Sequence, residues 1–239
     1  WSKLITIGSE GAIAITYSQT DLASNTTTLT RNITKDSVPP NLTLISHAES
    51  SYVTTAGTTI SGACEDAASA TVNLSGGFAG SPTTATCSGN TWSKAITFGA
   101  DGPIAINYSQ TDAAGNNTAL TRNLVKDTSP PIVTLTSHTE NSYVTTGTIT
   151  ISGACDTTSS ATVTLGGSGY TDVGFTPACT GNAWSKLITL GTDGAIVITV
   201  SQTDPAGNNT TITRNLIKDT VAPSLTHVIN SDDGITNSL

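Results

Sequence analysis

Residues 92–131 read WSKAITFGADGPIAINYSQTDAAGNNTALTRNLVKDTSPP, and this text decides how the chain is built. Close copies of it, aligned without a gap, run from Trp1 to Pro40 and from Trp184 to Pro223. Every copy opens on Trp-Ser-Lys, passes through Ser-Gln-Thr-Asp and closes on Lys-Asp and proline. Within the copy, Trp92, Ile96 and Phe98 share one phase of a period-two alternation, and Ile104, Ile106 and Tyr108 share another. Period two over short runs broken by Gly, Pro, Asn and Asp reads as half-buried antiparallel strands. No helical period is present.

The alternation continues outward from this block. Leu42 and Leu44 follow the proline pair, Ile60, Gly62 and Cys64 share a face in TTISGAC, and Val72 and Leu74 share one in ATVNLS. The repeat period is 91 or 92 residues, marked by Trp1, Trp92 and Trp184 and by Asp36, Asp127 and Asp219. A fixed period of this size indicates an array of small domains. Seven strands with turns every 8–12 residues suggest an all-β, two-sheet sandwich for each. The expected division is the back half of a repeat at 1–38, full repeats at 39–129 and 130–221, and the first strand of another at 222–239. Prolines at the junctions set extended, semi-rigid connections. Two charges break the pattern: Lys94 is in phase with Trp92, and Arg122 with Leu120 and Leu124. An edge position with a snorkelling head, or a bulge, is expected in preference to a buried ion pair.

Composition bounds the function. Charged residues make up 11 %, too few for a disordered tail, and high Thr and Ile without Met favours strands. A net charge of −8 argues against nucleic acid and anionic membrane surfaces and is compatible with cations. No apolar run approaches the roughly 18 residues of a membrane span. No signal peptide is visible, and the chain starts inside a repeat, so a window cut from a longer array is expected.

The four cysteines, Cys64, Cys87, Cys155 and Cys179, come as one pair per full repeat. Of the three pairings open to four cysteines, the repeat selects Cys64 with Cys87 and Cys155 with Cys179. Four reduced, buried thiols are the alternative. Zinc is disfavoured because the spacing is not C-x-x-C and no histidine lies near. Disulfides would imply an oxidising compartment.

The runs SQTDAAGNNT and NLVKDTSPP resemble the bacterial Ig-like domains of large surface adhesins, which carry T-D-x-A-G-N and end in D-T-x-x-P. ISGAC, ATVNLSGG and GNTWSKAITF fit the second, third and fifth strands of that family. The resemblance covers both full repeats and both partial ones. The first copy departs from it at Thr20-Asp21-Leu22-Ala23-Ser24-Asn25, where the glycine is lost, and the cysteine pair is not general in the family. The resemblance implies tandem Ig-like sandwiches in a rod, with strands A, B, E and D in one sheet and C, F and G in the other. Strands B, D and F would then end at one pole, where the inferred bridge joins the ends of B and D.

The same resemblance implies candidate ligands. Related repeats bind calcium through junction carboxylates, and calcium takes six to eight oxygens from flexible loops. The first junction would use Asp36 with Glu65, Asp66, Asp112 and Asn116, and the second Asp127 with Asp156, Asp204 and Asn208. The competing reading is that Asp112 and Asn116 shape the F–G turn and Asp36 caps a proline turn. No D-x-D-x-D-G loop occurs, and Lys35 and Lys126 stand beside the junction aspartates. His47, His138 and His227 read as surface or turn residues. No catalytic constellation can be assembled, so an enzyme is not expected.

Two functions are expected from different classes. The first is structural: a stalk or fibre segment of a bacterial cell-surface adhesin, giving reach and mechanical continuity, with neighbouring repeats and other chains of a fibre as partners. The second is a binding module for a glycan or protein, using the least similar segments, GGFAGSPTT and GGSGYTDVGFTP, with Tyr170 and Phe175 as anchors. The first block, lacking strands A to D, is expected to expose Trp1, Ile5, Ile13 and Ile15. Either the parent array or another chain in a fibre would complete it.

Overall fold

A computed structural model describes residues 1–67, 69–157 and 162–226. The described residues contain no helix, so none is long and apolar enough to cross a membrane. The chain divides into two compact units between Ser129 and Pro130.

The first unit begins with a hairpin, β1 (Gly11–Thr20) and β2 (Thr26–Lys35), paired antiparallel along their whole length. Residues before it form no strand, because the strand that covers the equivalent segment of a complete repeat has no counterpart here. Then come β3 (Ser51–Val53), β4 (Gly57–Ala63), β5 (Thr71–Gly76), β6 (Thr83–Ser88), β7 (Thr91–Thr97), β8 (Gly102–Thr111) and β9 (Asn117–Lys126). Their order is β3-β9-β8-β5-β6-β7-β4. Residues 42–46 add to β4 through the amides of Thr43 and Ile45, which donate to Ala63 O and Ser61 O.

The core lies between the two layers. Ile60, Val72, Leu74, Trp92, Ile96, Ile106 and Leu124 are each at most 4 % exposed, and each such burial contributes roughly 1.5–3 kcal/mol. Gly62 permits the close approach of residues 42–46, since a Cβ there would overlap the carbonyl oxygen of Thr43. In the hairpin the matching Ile13, Ile15 and Tyr17 are only half-buried and Trp1 is 95 % exposed.

The position of β6 corrects the expected sheet division. It pairs with β5 through Thr83–Thr86, and with β7 only through Cys87 and Ser88. It therefore belongs mainly to the β5 sheet and crosses over at its end, opening a seam beside β7. Lys94 lines that seam, which is why a charge is tolerated in the phase of Trp92.

The second unit has β10 (Ser142–Val144), β11 (Thr148–Ala154), β12 (Thr164–Ser168), β13 (Ala183–Thr189), β14 (Gly194–Thr203) and β15 (Asn209–Lys218). β10, β15, β14 and β12 form one sheet, and β11 with β13 the other. The counterpart of β6 is not a continuous strand. Pro177 has no N–H for a ladder, although its carbonyl still accepts from Val163 N.

Candidate functional site

Each complete repeat has an entry pole, where residues 40 or 131 join it, and an opposite exit pole. At the entry pole a glutamine organises the loops. Gln110 is fully buried; its Oε1 accepts from Glu65 N at 3.0 Å, and its Nε2 donates to Glu65 O and Ser69 O at 2.8 Å. Gln202 does the same to Asp156, accepting from its N at 2.9 Å and donating to its O at 2.7 Å. A buried amide of this kind must be satisfied, and here both ends of it are. The equivalent Gln19 is exposed.

Disulfides close the same pole. Cys64 joins Cys87 and Cys155 joins Cys179, both with Cα atoms 6.0 Å apart.

The first expected calcium set gathers at this pole, but each carboxylate has local partners. Asp112 accepts from Asn116 N on Oδ1 and from Asn116 Nδ2 on Oδ2, both at 2.8 Å. Burial opposes its ionisation, yet these hydrogen bonds hold its carboxyl below the usual range. The turn needs a left-handed residue before the asparagine: Gly115 has φ +94°, and in the first copy Ser24 takes φ +71°. Asn116 Nδ2 also donates to Asp36 O at 3.2 Å. Asp36 Oδ1 accepts from Val38 N, Glu65 Oε2 from Asn41 N, and Asp66 Oδ2 from Gly89 N. In the second set, Asp204 and Asn208 repeat the turn of Asp112 and Asn116. Asp127, in the first unit, accepts from Ser129 N, while Asp156 lies in the second unit. Among the described residues, no three His, Cys, Asp or Glu side chains cluster where one ion could be held.

The exit pole carries a clasp that reading the sequence missed. Asp101 accepts from Lys126 Nζ at 2.8 Å, Thr128 N at 2.8 Å, Thr128 Oγ1 and Ser129 Oγ. Lys126 Nζ also donates to Gly99 O at 2.9 Å. Glu10 holds Ser37 and Lys35 in the same way, and Asp193 holds Thr220 and Lys218. The lysines beside the junction aspartates are therefore committed to a carboxylate across the pole. The signal was available in the sequence as an acidic residue two places after the glycine that follows each fifth-strand segment. Hydrogen bonding to Lys126 first, then to Thr128, holds the Asp101 carboxyl well below the usual range. Ser37 has the leading effect of the same sign on Glu10, and Thr220 on Asp193.

This depression sets a pH dependence. A carboxyl whose folded pKa is lowered stabilises above its unfolded value, and that stability is lost as pH falls through the folded value. Thermal melting should therefore show a loss of stability below about pH 4. Asp101→Asn should lower the melting temperature at neutral pH and flatten that acid response; an unchanged profile in the variant would exclude the clasp as its source.

Arg122 reaches back to the residues that enter the repeat. Its Nη2 donates to Leu44 O at 3.0 Å, and Nη1 lies 3.8 Å from Glu49. Arg214 donates likewise to Leu135 O at 3.0 Å. The head is thus tied to a backbone carbonyl at the edge of the sandwich. His47 contacts Ser46 and Thr58, and His138 contacts Ser137. Burial first, then Arg214, pushes the His138 pKa down. His227 lies outside the described residues.

The two expected contact aromatics separate. Tyr170 is 7 % exposed and its hydroxyl donates to Gly166 O, so it is a core residue and not a surface anchor. Burial, with Asp172 nearby, pushes its phenol pKa up. Its backbone bridges to Leu190, and its ring joins the core cluster of the second unit. Phe175 is 48 % exposed, with Lys186 Nζ 3.5 Å from its ring centroid.

No family model matches the chain, and no curated protein matches it. Among solved structures it is similar to Clostridium thermocellum CbhA fibronectin(III)-like modules, with 14 % identity and a TM-score of 0.46, over 78 % of this chain and 99 % of that one. It is similar to a tetra-tandem repeat in the extending region of a large adhesion protein, with 19 % identity and a TM-score of 0.35, over 88 % of this chain and 57 % of that one. It is also similar to extracellular cadherin domains 3–6 of protocadherin gamma B2, with 9 % identity and a TM-score of 0.33, over 87 % of this chain and 57 % of that one. The chain spans just over half the length of the last two. All three TM-scores lie below 0.5, and the fold is that of the strand pairing itself, an all-β sandwich.

Proposed function

We propose that this chain is a mechanical spacer from an extracellular stalk, with complete repeats at 39–129 and 130–221 flanked by pieces of further repeats. The observation that carries this reading is the pairing of the first and last strands of each repeat. β3 runs parallel to β9, Ser51 to Val53 against Leu124 to Lys126, and β10 runs parallel to β15 in the same way. A repeat whose terminal strands are parallel takes the chain in at one pole and releases it at the other. Tension along the chain then loads those backbone hydrogen bonds in shear, all together, whereas an antiparallel terminal pair would unzip one bond at a time. Arg122 ties the middle of β9, the strand that bears this load, to Leu44 O, and the Asp101 clasp holds its end at Lys126. The disulfides fit an oxidising compartment, and the runs resembling adhesin repeats favour a bacterial surface.

Pulling a single molecule by its ends tests the reading. Two high-force events are expected, one per complete repeat. Reduction should lengthen each event by about 80 Å, the reach of the residues each bridge closes off at ~3.4 Å per residue. Repeats that yield at the force of a peeled hairpin would overturn it. The same measurement, with thermal melting, in calcium and in chelator tests the calcium expectation. A calcium-dependent rise in melting temperature supports binding at the junction carboxylates; no change leaves them as turn formers.

A further inference from the structure

Both repeats have an open groove where the segment before the second cysteine leaves the seventh or thirteenth strand, with volumes of about 760 and 720 Å³. The two linings differ at several aligned positions, among them Ile45 against Thr136, Thr86 against Ala178 and Thr91 against Ala183, and the second alone includes a phenylalanine, Phe175. Thr83 stands four residues before Cys87, and Phe175 stands four residues before Cys179. Only the second groove therefore has an aromatic wall at this position.

We propose that this second groove is a binding site for a neutral oligosaccharide, with Phe175 as its stacking platform, an activity beyond the spacer role. The ring is half exposed and lines the groove, and its position is fixed. Lys186 Nζ sits over one face at 3.5 Å, Lys186 is paired with Asp172 at 3.8 Å, and Asp172 Oδ2 accepts from Thr189 N at 3.0 Å on β13. A ring held in this way loses little freedom when a ligand stacks on it. Around it the groove offers the hydroxyls of Thr136, Ser152, Thr180 and Ser185. An aromatic face set among hydroxyls matches a pyranose, whose C–H face is apolar and whose rim is hydroxylated. Trp184 also lines the groove but is 3 % exposed, and its indole N–H donates to Thr134 O, so Phe175 supplies the aromatic surface.

Charge and shape select the class. The lysine's charge is already engaged by Asp172 and the ring, and a net charge of −8 disfavours polyanions. A peptide would need sockets for large apolar side chains, whereas the other apolar lining is Gly153, Pro177, Ala178 and Ala183 beside the buried Trp184.

The test is saturation-transfer NMR on the whole chain with neutral and acidic oligosaccharides at up to about 10 mM, a range suited to one stack and a few hydrogen bonds. Transfer to the C–H protons of a neutral sugar is expected. It should fall by about tenfold or more in Phe175→Thr, which installs the aligned residue of the first repeat, and persist in Phe175→Tyr. The melting temperature should be unchanged in both, because the ring is on the surface. Absence of transfer from every neutral sugar, equal transfer in Phe175→Thr, or preference for acidic glycans or peptides would overturn the proposal.

Discussion

Gln110→Leu is expected to destabilise the first complete repeat by roughly 2–5 kcal/mol, and Gln202→Leu the second by a similar amount. Leucine fills much of the space but leaves Glu65 N, Glu65 O and Ser69 O without the partner each has now. Each orphaned group costs about 1–3 kcal/mol, and water at the nearby surface recovers part of that. Gln19→Leu should change nothing measurable. Gln19 lies in the same Ser-Gln-Thr-Asp run but is exposed in the hairpin. Urea denaturation followed by the fluorescence of the buried Trp92 and Trp184 would separate the three variants. Equal losses from Gln19 and Gln110 would show that the effect belongs to the strand and not to the loop it organises.

Loss of a disulfide should have an effect of comparable size. Cys64→Ser with Cys87→Ser is expected to cost about 3 kcal/mol, as is Cys155→Ser with Cys179→Ser, from the loop-closure entropy returned to the unfolded chain. A domain of some ninety residues has a stability on the order of 5–13 kcal/mol, so either loss is a large share. Each double variant should lower the melting of its own repeat and leave the other in place. Intact mass with and without reductant should show two bridges, and a peptide linking Cys87 to Cys155 would contradict the pairing in the structure. An unchanged melting temperature in both double variants would mean that the unfolded chain keeps these loops closed by other means.

The alternation of apolar residues was enough to place β4, β5, β7, β8 and β9. A side chain's choice between the faces of a strand is local, and period two records it directly. Turn chemistry was legible for the same reason: Asp112 and Asn116 bond to each other four residues apart. The cysteine pairing followed from the period of the repeat, without geometry.

Side-chain pattern is silent on which edge a strand pairs with, because backbone hydrogen bonds look the same from any sequence. Thus β6 went to the β5 sheet, and only Cys87 and Ser88 reach β7. Polarity also misleads where a buried group has its partners, as the amide of Gln110 and the hydroxyl of Tyr170 do. The aspartate clasp escaped notice because Asp101 and Lys126 are 25 residues apart and meet only through the register of β8 against β9, where Gly102 pairs with Lys126. Trp1 and Trp92 open the same motif, yet one is 95 % exposed and the other 2 %. Local sequence makes both of them apolar. What buries Trp92 is β4 beside it in the same sheet, residues 42–46 beyond β4 and Tyr108 of β8 against its ring; the carbonyls of Thr43 and Ala63 take its indole N–H, and only the folded repeat brings those strands to it.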